Sequence, residues 1–363
     1  DSAIQYSVMA GAGFTPAKIS LAHINNKFVY LGDSNYNDLF KVVDLTSEVS
    51  ERAEQVPEWI EAANKTIAGD LPRIEVGEHC TKPYSCPFIK HCWKDIPVIE
   101  YPITKFPGLK RSKVTELIKL GYEDIRDIPD GLLGDDTLQA RLDACHTGER
   151  LIPDELRNKL AQLEFPRYYL DFETIGFAVP KWSGTRPYEQ LPFQWSCHIE
   201  AKSMAVSHTG FLDTSGNPPM QSFSEALVNA LGDSGPVIVY STFEKTVLRN
   251  LQERYPEYRE SLQSIIDRLF DLFQPIKTHY FHRDLQGSYS IKNVLPTVVP
   301  DLKYSDLLDV QDGMMAQQAY LEIINVKTTK ERKISLTNSL SEYCEMDTLA
   351  MVRLIQNLSK KNE

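Results

Sequence analysis

The stretch Tyr169-Leu170-Asp171-Phe172-Glu173-Thr174 constrains this chain more than any other. An apolar run from Phe165 to Leu170, with Pro166 and Arg167 inside it, leads directly into two carboxylates one residue apart. On a strand, residues i and i+2 share a face, so Asp171 and Glu173 project side by side. Two carboxylates converging at a strand end repel unless a cation lies between them, and hard oxygen ligands favour Mg²⁺ or Mn²⁺. An Asp-x-Glu pair is also common on solvated strand edges, so its weight depends on partners elsewhere in the chain.

Such partners follow. The short apolar strand Pro236–Tyr240 leads into Ser241-Thr242-Phe243-Glu244. Glu244 then starts the next helix near the carboxyl end of a central strand, the edge where α/β sheets build sites. Asp271, in Leu269-Phe270-Asp271-Leu272, competes with Glu244 for the same role. Tyr343 and Asp347, spaced i, i+4 in an amphipathic helix expected over Thr337–Leu358, share one face, and Cys344 and Met346 are expected to turn away from it. Four acids around two divalent cations can clamp an in-line attack at phosphorus. Tyr343 would orient the attacking water, since an ordinary tyrosine pKa near 10 makes it a poor general base.

With 363 residues the chain is long for one core and predicts two or three domains. A net charge of −11 argues against a broadly basic nucleic-acid binder. It leaves room for an enzyme that meets nucleic acid through metal ions and a local basic patch. No apolar run approaches a membrane span and no signal peptide opens the chain, which predicts a cytoplasmic protein with no membrane partner. The chain starts at Asp1 without a methionine, and an upstream piece is expected.

Before the acidic stretch, the spacing predicts a helix from Asp1 to about Gly13, strands at 19–24 and 28–31 joined across Asn25-Asn26, and a helix from Leu45 to Ala68. Cys80, Cys86 and Cys92 then fall in a Pro-punctuated segment with His79 and His91 beside the outer two. Three clustered thiols invite a metal, and a tetrahedral site would need a fourth ligand. The alternative is three reduced thiols with no ligand role. Residues 103–130 read as a short helical module, in which a glycine turn at Gly108 offers Lys110, Arg111 and Lys113 to a phosphate. A helical linker with a solvated basic face accounts for it equally well. After Phe165 come three strands with short connections, ending with 192–199 and 204–212. Helices are expected at 222–231, 244–255 and 258–273, the first two flanking the 236–240 strand.

The segment from Gly77-Glu78-His79-Cys80 through Cys92-Trp93 resembles the C-terminal staple of RecB-like nucleases that carry an iron–sulfur cluster. The helix with Gln5 and Tyr6 is similar to the last core motif of that family. The resemblance implies a 4Fe–4S cluster, or zinc, on Cys80, Cys86 and Cys92, with residues 1–96 as the tail of a truncated nuclease domain whose N-terminal portion is missing. The first cysteine spacing is longer than usual in that family, and the acidic and lysine residues of its nuclease site are not in this chain.

Asp171-x-Glu173, Ser241-x-Phe243-Glu244 and Tyr343-x-x-x-Asp347, in that order, resemble a DnaQ-like exonuclease of the tyrosine (DEDDy) type. Such enzymes usually have Asp at the second motif, where this chain has Glu244. Together with Pro192-Phe193-Gln194-Trp195-Ser196 and Gly287-Ser288-Tyr289-Ser290-Ile291-Lys292, the sequence resembles an uncharacterised bacterial family that joins a RecB-like PD-(D/E)XK nuclease domain to a ribonuclease H-like domain. The implied fold is α/β, with a ribonuclease H-like mixed sheet and flanking helices over 165–363, a helical linker over 97–164 and the RecB-like portion before it. The implied function is a 3′–5′ exonuclease acting on single-stranded DNA or RNA ends. Asp171, Glu173, Glu244 and Asp347 would hold two Mg²⁺ or Mn²⁺ ions, and Lys292 would meet a phosphate. A catalytically silent nucleic-acid-binding domain and a nucleotide phosphodiesterase are the alternatives.

Overall fold

The computed structural model describes residues 1–307 and 309–360. The chain divides into two compact units, one of Asp1–Val98 with Phe177–Tyr188, the other of Ile99–Gly176 with Glu189–Glu363.

In the first unit, helix Ser2–Gly11 buries Ala3 against Val49 and Val56, which lie on helices Thr46–Ala53 and Val56–Ala68. The helix expected over 45–68 is thus two helices. Pro57 sits in the first turn of the second, where a residue without an N–H fits a helix start and not a helix interior. Strand β1 (Ser20–Ile24) pairs antiparallel with β2 (Phe40–Asp44). This corrects the expected hairpin between 19–24 and 28–31. The Asn25 N–H donates instead to the Leu39 carbonyl, and Tyr30, stacked on Tyr36 at 4.7 Å, bridges to Thr185.

The second unit is mixed α/β. Its sheet contains β3 (Arg167–Ile175), β4 (Leu191–Glu200), β5 (Val206–Leu212), β6 (Val237–Val239) and β7 (Leu269–Asp271), in the order β5-β4-β3-β6-β7. The first three form an antiparallel meander, and β6 and β7 run parallel to β3. Strand β7 corrects the helix expected over 258–273: that helix ends at Asp267, and Leu269–Asp271 pairs with β6. A short apolar run satisfies helix and strand patterns alike, and only the vacant edge of β6 decides between them.

Alternation along β3 divides its side chains between two layers. Phe172 meets Phe223 of helix Met220–Ala230 edge-on at 5.0 Å on one face. Tyr169 on the other joins a core with Ile238, Leu272, Ile276, Leu295, Met351 and Ile355. The latter core is roofed by the helix Lys330–Leu358, which buries Leu336, Leu340, Tyr343, Asp347 and Met351 as one stripe. It starts seven residues before the expected Thr337, because the Thr329 side chain accepts from Arg332 N and caps it there. Of residues 97–164, expected as a linker, Tyr101, Ile103, Leu117, Ile125 and Leu142 form a small core closed by Phe281 from beyond the sheet, while Leu156 and Leu160 join the core with Tyr169. No helix among the described residues is long and apolar enough to cross a membrane.

Candidate metal centre

Strand β3 carries Asp171 and Glu173 onto the face beneath the long helix, and that helix brings Asp347 down to meet them. One carboxylate oxygen from each of the three lies within 4.8 Å of the others. The register between β3 and β4 shifts just after Glu173, so the pairing irregularity marks the end of the acidic pair. Glu173 and Asp347 are buried, and Asp171 is half-buried.

Three anions withdrawn from water in this way prefer to be neutral. Burial and the neighbouring Asp347, Glu173 and Glu244 hold the Asp171 carboxyl well above its usual range. Burial, then Asp347, pushes Glu173 up to about 8, with Lys292 opposing. Burial pushes Asp347 up to about 6, against hydrogen bonds from Tyr304 and Tyr343 and the charge of Lys292. The mutual repulsion of these three carboxylates favours a cation between them, and the all-oxygen donor set suits Mg²⁺ or Mn²⁺.

Glu244 is buried at the start of helix Phe243–Arg254, just past β6, with Ser241 Oγ 3.4 Å from its Oε2. It lies outside the trio whose oxygens gather within 4.8 Å, yet its charge raises Asp171, and burial pushes its own carboxyl up to about 7. Asp271 ends β7 next door, half-buried, and accepts the Phe273 N–H at 3.0 Å. Both candidates for the second motif thus sit at the carboxyl ends of adjacent parallel strands, and Asp271 adds to the raised pKa of Glu244.

Tyr343 is buried beside the acids. Lys292, at the start of helix Ile291–Val298, donates to Tyr343 Oη at 3.2 Å and to the Gln311 carbonyl at 2.5 Å. Its ammonium stands 4.9 Å from the centre of the Tyr343 ring and 5.2 Å from that of Tyr304. Tyr304 donates to Asp347 Oδ1 at 2.6 Å. Sequence reasoning missed Tyr304, because it opens a three-residue 3-10 turn too short for a period to place it. Cys344 corrects another expectation. It does not turn away from the acids: its Sγ lies 3.6 Å from Asp171 Oδ2, because residues 343, 344 and 347 all fall within the width of one buried helix face. Met346 joins the apolar core.

The remaining sequence-predicted residues lie elsewhere. Lys110, Arg111 and Lys113 open the helix Arg111–Lys119 of the 99–164 segment, and Lys113 pairs with Glu116 at 2.9 Å. Gln5 is exposed on the first helix. Cys80 is buried, Cys86 half-buried and Cys92 exposed, and they are not among the groups whose ligand atoms gather within 4.8 Å among the described residues. A second such group, Asp130, Asp143 and His146, is exposed, and the Gln139 amide ties its two carboxylates together.

The chain is 28% identical over 235 residues to an uncharacterised protein of Mycoplasma genitalium, covering 58% of this chain and 35% of that protein. It is 28% identical over 224 residues to the homologue from Mycoplasma pneumoniae, covering 56% and 33%. The matched region therefore spans about a third of the length of these curated relatives. No solved structure matches the chain. Residues 168–290 match the family described as "Domain of unknown function (DUF2779)", a span that holds Asp171, Glu173, Glu244 and Asp271 but not Tyr343 or Asp347. Residues 168–290 are thus similar to that family of unknown function, and the chain is similar to uncharacterised mycoplasma proteins.

Proposed function

We propose that this domain is a divalent-metal-dependent nuclease that removes nucleotides from the 3′ end of a nucleic-acid strand. The observation that carries the reading is the convergence of Asp171, Glu173 and Asp347 beneath Tyr343, from a strand and a helix far apart in sequence. The strand order, an antiparallel meander extended by two parallel strands, supports a ribonuclease H-like architecture. The carboxylates of Asp171, Glu173 and Asp347, with Glu244 at the rim, would hold Mg²⁺ or Mn²⁺. A bound cation in such a site lowers the pKa of water and offsets charge building on phosphate oxygens. Tyr343 Oη accepts from Lys292 and hydrogen-bonds to Asp347, so the hydroxyl is fixed beside the carboxylates, where it would position a water. Tyr304 and Tyr343 both hydrogen-bond to Asp347, which fixes the orientation of that carboxylate.

The test uses 3′- and 5′-labelled single- and double-stranded DNA and RNA with Mn²⁺, wild type against Asp347→Ala. A ladder shortening from the 3′ end, lost in the variant and with chelator, is the expected outcome. Intact substrates with metal bound to the protein would overturn the reading.

A further inference from the structure

We infer that residues 99–151 serve the metal centre as a fixed platform, with Tyr101 and Gln286 as positioning residues that settle where Lys292 meets Tyr343. The inference rests on the proposed nuclease reading and deepens it, since it concerns what holds the Tyr343 hydroxyl in place.

The chain between helix Phe273–His279 and helix Ile291–Val298 is bound to that platform along its length. Leu151 and Phe281 exchange both backbone hydrogen bonds, at 2.9 and 3.2 Å. Arg283 donates to the Cys145 carbonyl at 3.1 Å, and Tyr101 Oη donates to Asp284 Oδ1 at 2.8 Å. Tyr101 is itself buried, with the guanidinium carbons of Arg126 and Arg283 at 4.7 and 5.1 Å from its ring centre. Gln286 then accepts from Lys105 Nζ at 2.8 Å and donates to the Glu100 carbonyl at 3.1 Å. Both ends of one amide are thus spent on the platform.

The backbone at this joint is not where a glutamine would rest unaided. Gln286 has φ +44, in the left-handed region that side chains other than glycine's seldom adopt, and Gly287 follows at φ +79. A Cβ on Gly287 would lie 2.9 Å from the Lys105 carbonyl oxygen, so loop and platform meet backbone to backbone. A residue in such a conformation persists only where its surroundings hold it, and such residues gather near working sites.

Little chain separates this joint from the metal centre. The Ser288 N–H donates to the Leu285 carbonyl at 2.8 Å, and the carbonyl of buried Tyr289 accepts from Tyr240 Oη at 2.9 Å. The helix starts two residues later, and Lys292 in its first turn donates to Tyr343 Oη at 3.2 Å. Further along, Val294, Leu295 and Val298 sit in the apolar core. Apolar packing has no preferred direction, whereas a hydrogen bond does. The core therefore sets how deep the helix lies, and the bonded loop sets the height and rotation of its first turn.

Two substitutions undo the tie and spare the fold. Gln286→Gly removes both side-chain bonds at a backbone that glycine adopts readily. Tyr101→Phe removes a hydroxyl and keeps the ring, and its partner Asp284 is exposed, so water replaces the lost donor. The readout without substrate is the carbon-13 resonance of the oxygen-bearing ring carbon of Tyr343, assigned by its loss in Tyr343→Phe. Lys292→Met gives the position of that resonance when the ammonium is gone. The double variant Tyr101→Phe/Gln286→Gly is expected to move it toward that position, and Lys105→Met to move it less in the same direction. A resonance left at its wild-type position overturns the inference, and a fold that is merely less stable does not move it. In cleavage assays the double variant should lower kcat about tenfold with KM unchanged, and cost nothing further in a Lys292→Met background. Losses that multiply across the two backgrounds overturn the inference. A moved resonance in a protein that cleaves nothing sinks the nuclease reading alone, and cleavage with an unmoved resonance sinks this one alone.

Discussion

Tyr304 holds Asp347 in place with a 2.6 Å hydrogen bond from a side chain that no pattern in the sequence singles out. A hydrogen bond to a charged group contributes about 1.5–3 kcal/mol, and its loss leaves a buried carboxylate short of a donor. Tyr304→Phe is therefore expected to lower stability by that amount at pH 8 without metal, read from the urea midpoint at constant slope. An unchanged midpoint would mean that Asp347 finds another donor. The contrast with Asp171, Glu173, Tyr343 and Asp347 is instructive. Each of those was placed by a period, two on a strand and four on a helix, which converts spacing into a shared face. Tyr304 opens a three-residue 3-10 turn and Gln311 lies outside any helix or strand, so no run there is long enough for spacing to give a direction. Cys344 was misplaced for a subtler reason: a helix face that is buried under a sheet is wide enough to take neighbours as well as i+4 partners.

At the level of elements, the sheet depends on how closely the start of β6 approaches β3. Gly235 has φ +85, and a Cβ there would lie 1.9 Å from the Pro166 carbonyl oxygen. That contact is backbone on backbone, with no flexible side chain to yield. Gly235→Ala is expected to cost about 3 kcal/mol or more. Gly131→Ala, with φ +78 and open space around the new methyl, should cost only the left-handed strain of about 1–2 kcal/mol. Equal losses in the two variants would show that the clash is relieved by movement of β6. The strands β3 to β6 were legible because apolar runs bounded by Gly and Pro mark buried strands. Strand β7 was hidden because its three residues continue a helical apolar pattern, and the β1 partner was hidden because a nearby Asn-Asn offered a plausible turn.

For the molecule as a whole, the acidic centre ties stability to pH, and the proposed cation would tie it to metal. The carboxyls of Asp171, Glu173, Glu244 and Asp347 are all raised in the folded state, Glu173 from 4.5 to about 8. Groups shifted upward favour folding while protonated, so their contribution is full below the unfolded value and lost as pH rises through the folded one. Without metal, the contribution of these groups to thermal stability should fall between pH 5 and pH 8, the opposite of what salt-bridged carboxylates give. Mn²⁺ at a hundred times its Kd should return about 2.7 kcal/mol at pH 8, a rise in Tm of roughly 5–10 °C. Asp347→Asn should raise the metal-free Tm at pH 8 and abolish the response to Mn²⁺; a variant that still responds would place the cation elsewhere. One further consequence follows from the way the centre is spelled. Its residues come as short words, Asp-x-Glu on β3 and Tyr-x-x-x-Asp on the long helix, and what separates the words can change in length without disturbing either. A single residue gained inside the first word would swing Asp171 to the side where Phe172 meets Phe223, and one gained inside the second would carry Asp347 roughly 100° around its helix. Kin of this domain are thus to be sought by the words and their order, with the distance between them left free.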